Sequence, residues 1–179
     1  CTTGDVCNAG VCSGVNACAS GTFCEAASKT CKVRAVIWVA AARDETATFS
    51  GAMTDGTAYT GGADADTAAD SIESSLVFTA SATGGDIVRY AVDLPAAGRW
   101  YAWGRFYYPG APGSNDANSF FLRIDAGTAL RFGNNKSYFR RWHWDGDGRY
   151  ESGTPVALPL GQLTAGPHTL TIAKREVTP

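Results

Sequence analysis

The sequence predicts an all-β domain, a sandwich or barrel of short strands. Three observations carry the prediction. Glycine supplies 21 of the 179 residues, and Gly/Pro turn signals separate short apolar segments along most of the chain. No stretch of useful length shows the 3.6-residue apolar period of an amphipathic helix. Several segments instead alternate apolar and polar side chains, the period of a half-buried strand. Roughly ten such segments joined by frequent turns fit the layered all-β architectures.

The first 31 residues stand apart. All six cysteines lie there: Cys1, Cys7, Cys12, Cys18, Cys24 and Cys31. "CTTGDVC-NAGVC" aligns with "CASGTFC-EAASKTC" at an offset of 17 residues, a degenerate repeat with three cysteines in each half. An even number of cysteines in a short Gly/Ser/Ala-rich stretch reads as a disulfide framework, which needs an oxidising compartment. Three per half is odd, so full oxidation requires at least one bridge between the halves; the sequence does not choose among the pairings. Large apolar residues are few (Val6, Val11, Val15, Phe23), so cross-links rather than burial would hold this segment together. Zinc is the rival reading, but zinc ligands favour close C-x-x-C-like pairs and only Cys7/Cys12 comes near that spacing. A lipidated Cys1 would leave an odd set of thiols. The expected division is a Cys-rich, disulfide-knotted segment over 1–31 and a β-sandwich over 32–179.

From Lys32 onward the strands follow one another. "VRAVIWVAA" (33–41) reads as an apolar strand, and "ATFSGAMTDGTAYTGG" (47–62) alternates around Gly turns. "SSLVFTASA" (74–82) precedes "DIVRYAVDL" (86–94), where Ile87, Val88, Tyr90, Val92 and Leu94 give near period-2 patterning with Arg89, Ala91 and Asp93 opposite. After the turn "PAAG", the stretch 99–108 puts Trp100, Ala102, Gly104, Phe106 and Tyr108 on one face and Tyr101, Trp103, Arg105 and Tyr107 on the opposite one. A loop (109–118) leads to the strand "SFFLRID" (119–125), with "TALRFG" (128–133) as its hairpin partner. The aromatic stretch 137–153 follows. Pro155 and Pro159 place 154–161 at a sheet edge or in a loop, because proline cannot donate to a ladder. "HTLTIAKREV" (168–177) closes the sheet.

Bulk properties exclude several functions. Net charge is −2 and the 15 Lys and Arg form no basic tract, which argues against a nucleic-acid partner. The longest apolar run, 35–42, is far short of the ~20 residues a membrane span needs. No charged n-region followed by an apolar h-region opens the chain, so a mature form or a fragment is expected, secreted or at the cell surface. No HExxH, GxSxG or GxxxxGK[ST] occurs, and nothing marks out a carboxylate pair for glycoside cleavage. The expectation is therefore a protein without catalysis.

"AAGRWYAWGRFYYPG…NSFFLRIDAG…RWHWDGDG…LTAGPHTLTIAKRE" resembles a carbohydrate-binding module of the family 6 and family 35 type. These modules are jelly-roll β-sandwiches of the galactose-binding-like kind. The resemblance spans about residues 35–177, leaves out the cysteine segment, and rests on an ordered set of strands rather than on one motif. It implies an all-β jelly roll and a polysaccharide or glycan as partner. Two departures stand out. Those families commonly carry Glu-Ala-Glu in the first strand, helping to bind a structural calcium, where this chain has Ala40, Ala41 and Ala42. They also continue into one more strand after the "RE", so the sandwich is expected to lack its last strand and to offer an open sheet edge to a neighbouring domain or subunit.

Sugars present hydroxyls around an apolar C–H face. Flat rings with polar tips, together with planar amide, carboxylate or guanidinium groups, read both features. Tyr107, Tyr108, Asn134, Asn135, Tyr138, Trp142, Trp144 and Asp145 are the candidate ligand-binding residues. The same residues fit duller roles: Trp142 and Trp144 share a face in "FRRWHWDG" and could be packed rings, while Asn134 and Asn135 could serve only their turn. No cofactor is required. Calcium is the best metal guess, with Asp145 and Asp147 in "DGDGRYE" as its ligands and "DADTAAD" (64–70) as the other acidic loop, although neither completes an EF-hand. His143 and His168 sit in strand contexts and read as structural. The leading expectation is non-catalytic glycan binding. A structural or adhesive subunit that turns the same sandwich to protein contacts is the alternative.

Overall fold

The computed structural model describes residues 6–8, 11–13, 22–25, 30–33, 35–39, 44–55, 77–78, 85–108, 118–147 and 155–175. The chain divides into two compact units, Cys1–Trp38 and Val39–Pro179. In the first, β1 (Val6–Asn8) pairs antiparallel with β2 (Val11–Ser13), and β3 (Thr22–Glu25) with β4 (Thr30–Val33). Register sets Cys7 opposite Cys12 and Cys24 opposite Cys31; Cys31 is disulfide-bonded. Cys1 and Cys18 lie outside the described residues. The expected boundary at 31/32 falls inside β4. Val33 closes that ladder, and 35–39 forms no strand, so the apolar run expected as a strand over 33–41 is divided between a hairpin and an irregular stretch. Ala40, Ala41 and Ala42 are outside the described residues.

The second unit is built on a five-stranded antiparallel sheet, in the order β12-β11-β15-β8-β5. Its members are β5 (Thr48–Ser50), β8 (Ile87–Leu94), β11 (Ser119–Ile124), β12 (Leu130–Gly133) and β15 (Gly166–Lys174). A short pair, β6 (Thr54–Asp55) with β7 (Val77–Phe78), lies between β5 and β8 in sequence; most of 56–84, with the acidic loop 64–70, lies outside the described residues. β15 takes the centre because its nine residues can ladder on both sides, with β11 and with β8. The alternation read from the sequence holds in β8: Val88, Tyr90, Val92 and Leu94 are buried, with Met53, and Trp100, Leu163, Leu170 and Ile172 pack against them.

The other strands are β9 (Gly98–Ala102), β10 (Gly104–Phe106), β13 (His143–Asp145) and β14 (Leu158–Leu163). β14 pairs with β9, and β13 with β10, both antiparallel. Pro159 sits opposite Tyr101 in β14, which among the described residues pairs with no other strand, and the register slips between Pro159 and Gly161. That is the edge position that a residue without an N–H can occupy. Phe106, Tyr108 and Leu158 pack with Leu122, Phe132 and Phe139 into a second core cluster. Side chains of the five-stranded sheet thus meet those of β9, β10 and β14, which is consistent with a β-sandwich. Among the described residues there is no helix, and none is long and apolar enough to cross a membrane.

Within 137–147 only three residues form a strand. Arg140 adopts φ 55°, a left-handed conformation that breaks the alternation expected there. Phe139 and His143 remain buried, while Arg141 turns out to solvent beside Arg140.

Candidate ligand-binding surface

The segment 98–108 decides which side chains meet solvent. Its even positions pack inward: Trp100 and Ala102 are half-buried against the core, and Phe106 and Tyr108 are buried. Its odd positions turn outward. Arg99, Tyr101 and Trp103 are exposed, and Arg105 and Tyr107 half-exposed. Antiparallel pairing continues this face sideways. Trp144 stands opposite Arg105, and on the other flank Pro159 and Gln162 stand opposite Tyr101 and Arg99. Tyr101, Trp103 and Trp144 keep 55%, 48% and 40% of their surface in solvent. Three large rings are thus left exposed on one face, and apolar surface gathered on one face marks interaction surfaces.

Gly146 sits where the partner of this segment changes from β14 to β13. A Cβ there would run into the Leu158 amide and the Ala102 and Val156 carbonyls. Only glycine lets these backbones approach so closely. Gly104 plays a smaller part: a Cβ would meet the rings of Phe106 and Phe132, 2.7 Å away.

A second group of rings gathers next to Arg105 and His143. The Arg105 guanidinium lies over the Trp142 ring, 4.8 Å from its centroid, and Tyr107 leans on the same ring at 5.7 Å. Arg141 lies 4.4 Å from the Tyr138 centroid, and His143 stacks on Tyr138 at 5.0 Å. With its ring face so occupied, Tyr138 has little left for a ligand. His143 also meets Tyr108 edge-on at 4.6 Å. Its Nδ1–H donates to the Arg141 carbonyl. Burial lowers its pKa, the neighbouring Arg141 charge lowers it further, and the Arg141 carbonyl acts in the opposite direction. His143 is a core residue.

Four of the residues expected at the ligand surface lie inside instead. Tyr108 is 1% exposed, and Asn135 and Asp145 are fully buried, with Asn134 nearly so. Each has structural work that explains the position. Tyr108 accepts the Asn134 amide at its hydroxyl, and Asn134, at φ 87°, also donates that amide to the Asn118 carbonyl. Asn135 accepts the Ser137 amide in an Asx turn. Asp145 accepts the amides of Gly146 and Val156 on one carboxylate oxygen. Of the expected set, only Trp144 shows a broadly exposed ring, while Tyr107 and Trp142 are half-buried against each other. Tyr101 and Trp103, which the expected set omits, supply the rest. Their outward companionship with Arg105 and Tyr107 was visible in the alternation, but the opposite face of the strand is equally aromatic.

Of the two aspartates expected to hold calcium, Asp145 is buried and Asp147 half-buried. Calcium takes six to eight oxygens, many of them charged. Asp145 is fixed by two N–H donors in the interior, where burial raises its pKa and disfavours the anion. Among the described residues, no three His, Cys, Asp or Glu side chains gather where a metal could be held. His168 is likewise occupied: its Nδ1 donates to Asp125 at 2.7 Å and its Nε2 to the Thr164 carbonyl at 3.0 Å. The loops 109–117 and 148–154 lie outside the described residues. No protein-family model matches the chain, and no curated protein matches it.

Proposed function

We propose that the unit Val39–Pro179 is a non-catalytic module that binds polysaccharide through the outward face of β9, β10 and β13. One observation carries the reading: Tyr101, Trp103 and Trp144 share that face with their rings in solvent, although the strand beneath them is anchored in the core. Burying a large aromatic side chain is worth roughly 1.5–3 kcal/mol, so three neighbouring rings left outside call for a partner. The C–H faces of sugar rings suit such a surface, and guanidinium and amide groups at Arg99, Arg105 and Gln162 suit hydroxyls. The finer architecture goes with this reading: a jelly roll, as the family 6 and family 35 resemblance implies, preceded by a disulfide-held segment in a secreted protein. The six clustered cysteines and the bonded Cys31 support the second part.

The test is retention of the protein in polysaccharide affinity gels and pull-downs over a panel of soluble and insoluble polymers. Wild type should be retained by at least one polymer. Trp103→Ala and Trp144→Ala should each weaken that retention about tenfold, near 1.4 kcal/mol, without lowering the melting temperature. Retention of the Tyr101→Ala/Trp103→Ala/Trp144→Ala variant equal to wild type would remove the basis for the proposal.

A further inference from the structure

We infer that this face takes a linear acidic polysaccharide lying along β9 and β10, rather than a neutral glycan or a chain end. The inference rests on the polysaccharide reading above and names the ligand class within it. Arg99, Tyr101, Trp103 and Arg105 are successive outward residues of one nearly continuous segment. At the rise of an extended strand, Arg99 and Arg105 stand about 20 Å apart. Between them lie two exposed rings, and Trp144 flanks Arg105 across the ladder. Charge, ring, ring, charge along one line is the complement of a chain whose sugar rings carry acidic groups. Among the described outward positions of these paired strands none is acidic, although the chain as a whole carries net charge −2. A guanidinium binds carboxylate or sulfate through paired N–H donors, and Arg105 is held in place by Trp142. A stripe of this length, with rings spaced along it, engages several consecutive sugars, so no single residue of the polymer should compete well.

The experiment is affinity electrophoresis and calorimetry of the full chain against four probes. These are polygalacturonate, the same polymer methyl-esterified, a sulfated galactan, and a single-stranded oligonucleotide. Binding should be to polygalacturonate or to the sulfated galactan, and which of them binds identifies the acidic group. Where polygalacturonate binds, esterification should weaken it about tenfold or more. Arg99→Gln should weaken acidic-polymer binding severalfold and flatten its salt dependence, and free galacturonate should compete poorly against long oligomers. Equal binding of the methyl-esterified polymer, or full competition by the monosaccharide, overturns this inference and leaves the polysaccharide reading standing. Oligonucleotide binding as tight as the acidic glycan overturns it as well, because the face would then take any polyanion that offers charge and stacking. Absence of binding to any polysaccharide, neutral or acidic, overturns the reading on which the inference rests.

Discussion

Asp145 places a carboxyl in the interior with one oxygen holding two backbone amides and the other, Oδ2, meeting no hydrogen-bond partner among the described residues. Burial raises its pKa above the ordinary 3.8, while the amides of Gly146 and Val156 work in the opposite direction. A carboxyl whose pKa is higher folded than unfolded favours the fold while protonated, and that contribution fades as pH rises through the folded value. Asp145→Asn keeps the acceptor and removes the charge. Thermal melts should therefore show the variant gaining on wild type as pH climbs from the acid side to neutrality. Asp145→Ala, which strands the two amides, should cost about 1–3 kcal/mol. A second contrast separates binding from packing. Tyr108→Phe removes only a buried hydroxyl that accepts the Asn134 amide; it should lose about 1 kcal/mol in denaturant titration and leave polysaccharide retention unchanged. Trp103→Ala should do the reverse.

Two elements carry more of the architecture than their length suggests. The turn after β11 is tied to β15 through Asp125, which accepts the Thr169 amide at 2.8 Å and the His168 ring at 2.7 Å. Both ring nitrogens of His168 face acceptors, so the doubly protonated ring is favoured. Its pKa is raised, by Asp125 first, and that of Asp125 is lowered, by the Thr169 amide first. The histidine's contribution is complete below its ordinary value of 6.5 and disappears as pH rises through the raised one. The carboxylate's contribution is present above 3.8 and disappears as pH falls through the lowered value. Denaturant midpoints followed against pH should show a plateau between those limits, with an alkaline shoulder that His168→Gln abolishes. The second element is the junction of β13 with β14. Gly146→Ala would force a methyl group against three backbone atoms that cannot swing aside, and should cost about 3 kcal/mol, the upper end of ordinary overpacking.

At the scale of the whole molecule, the cysteines all lie in 1–31, while the proposed binding face and both core clusters lie within Val39–Pro179. Reductant should therefore leave polysaccharide retention and the main thermal transition intact. A melt in dithiothreitol that loses that transition would show the two units to be energetically coupled. Strand content was legible from the sequence because apolar alternation and Gly/Pro punctuation are local properties: β8, β11, β12 and β15 lie where the pattern puts them, and the prolines mark β14 as an edge. The cysteine-rich segment was separable by composition alone. The binding face was only half legible. Alternation in 99–108 sorts the side chains into two sets, but each set holds a Trp and a Tyr, so hydrophobicity could not say which faces water. That choice fell to the inner face of the five-stranded sheet, which accepts Trp100, Phe106 and Tyr108 and leaves Tyr101 and Trp103 outside. The same tertiary packing drew Asn135 and Asp145 into the interior, where turn and backbone hydrogen bonds claim them. Local sequence fixes which residues share a side of a strand; only contact with a second layer decides which side is in.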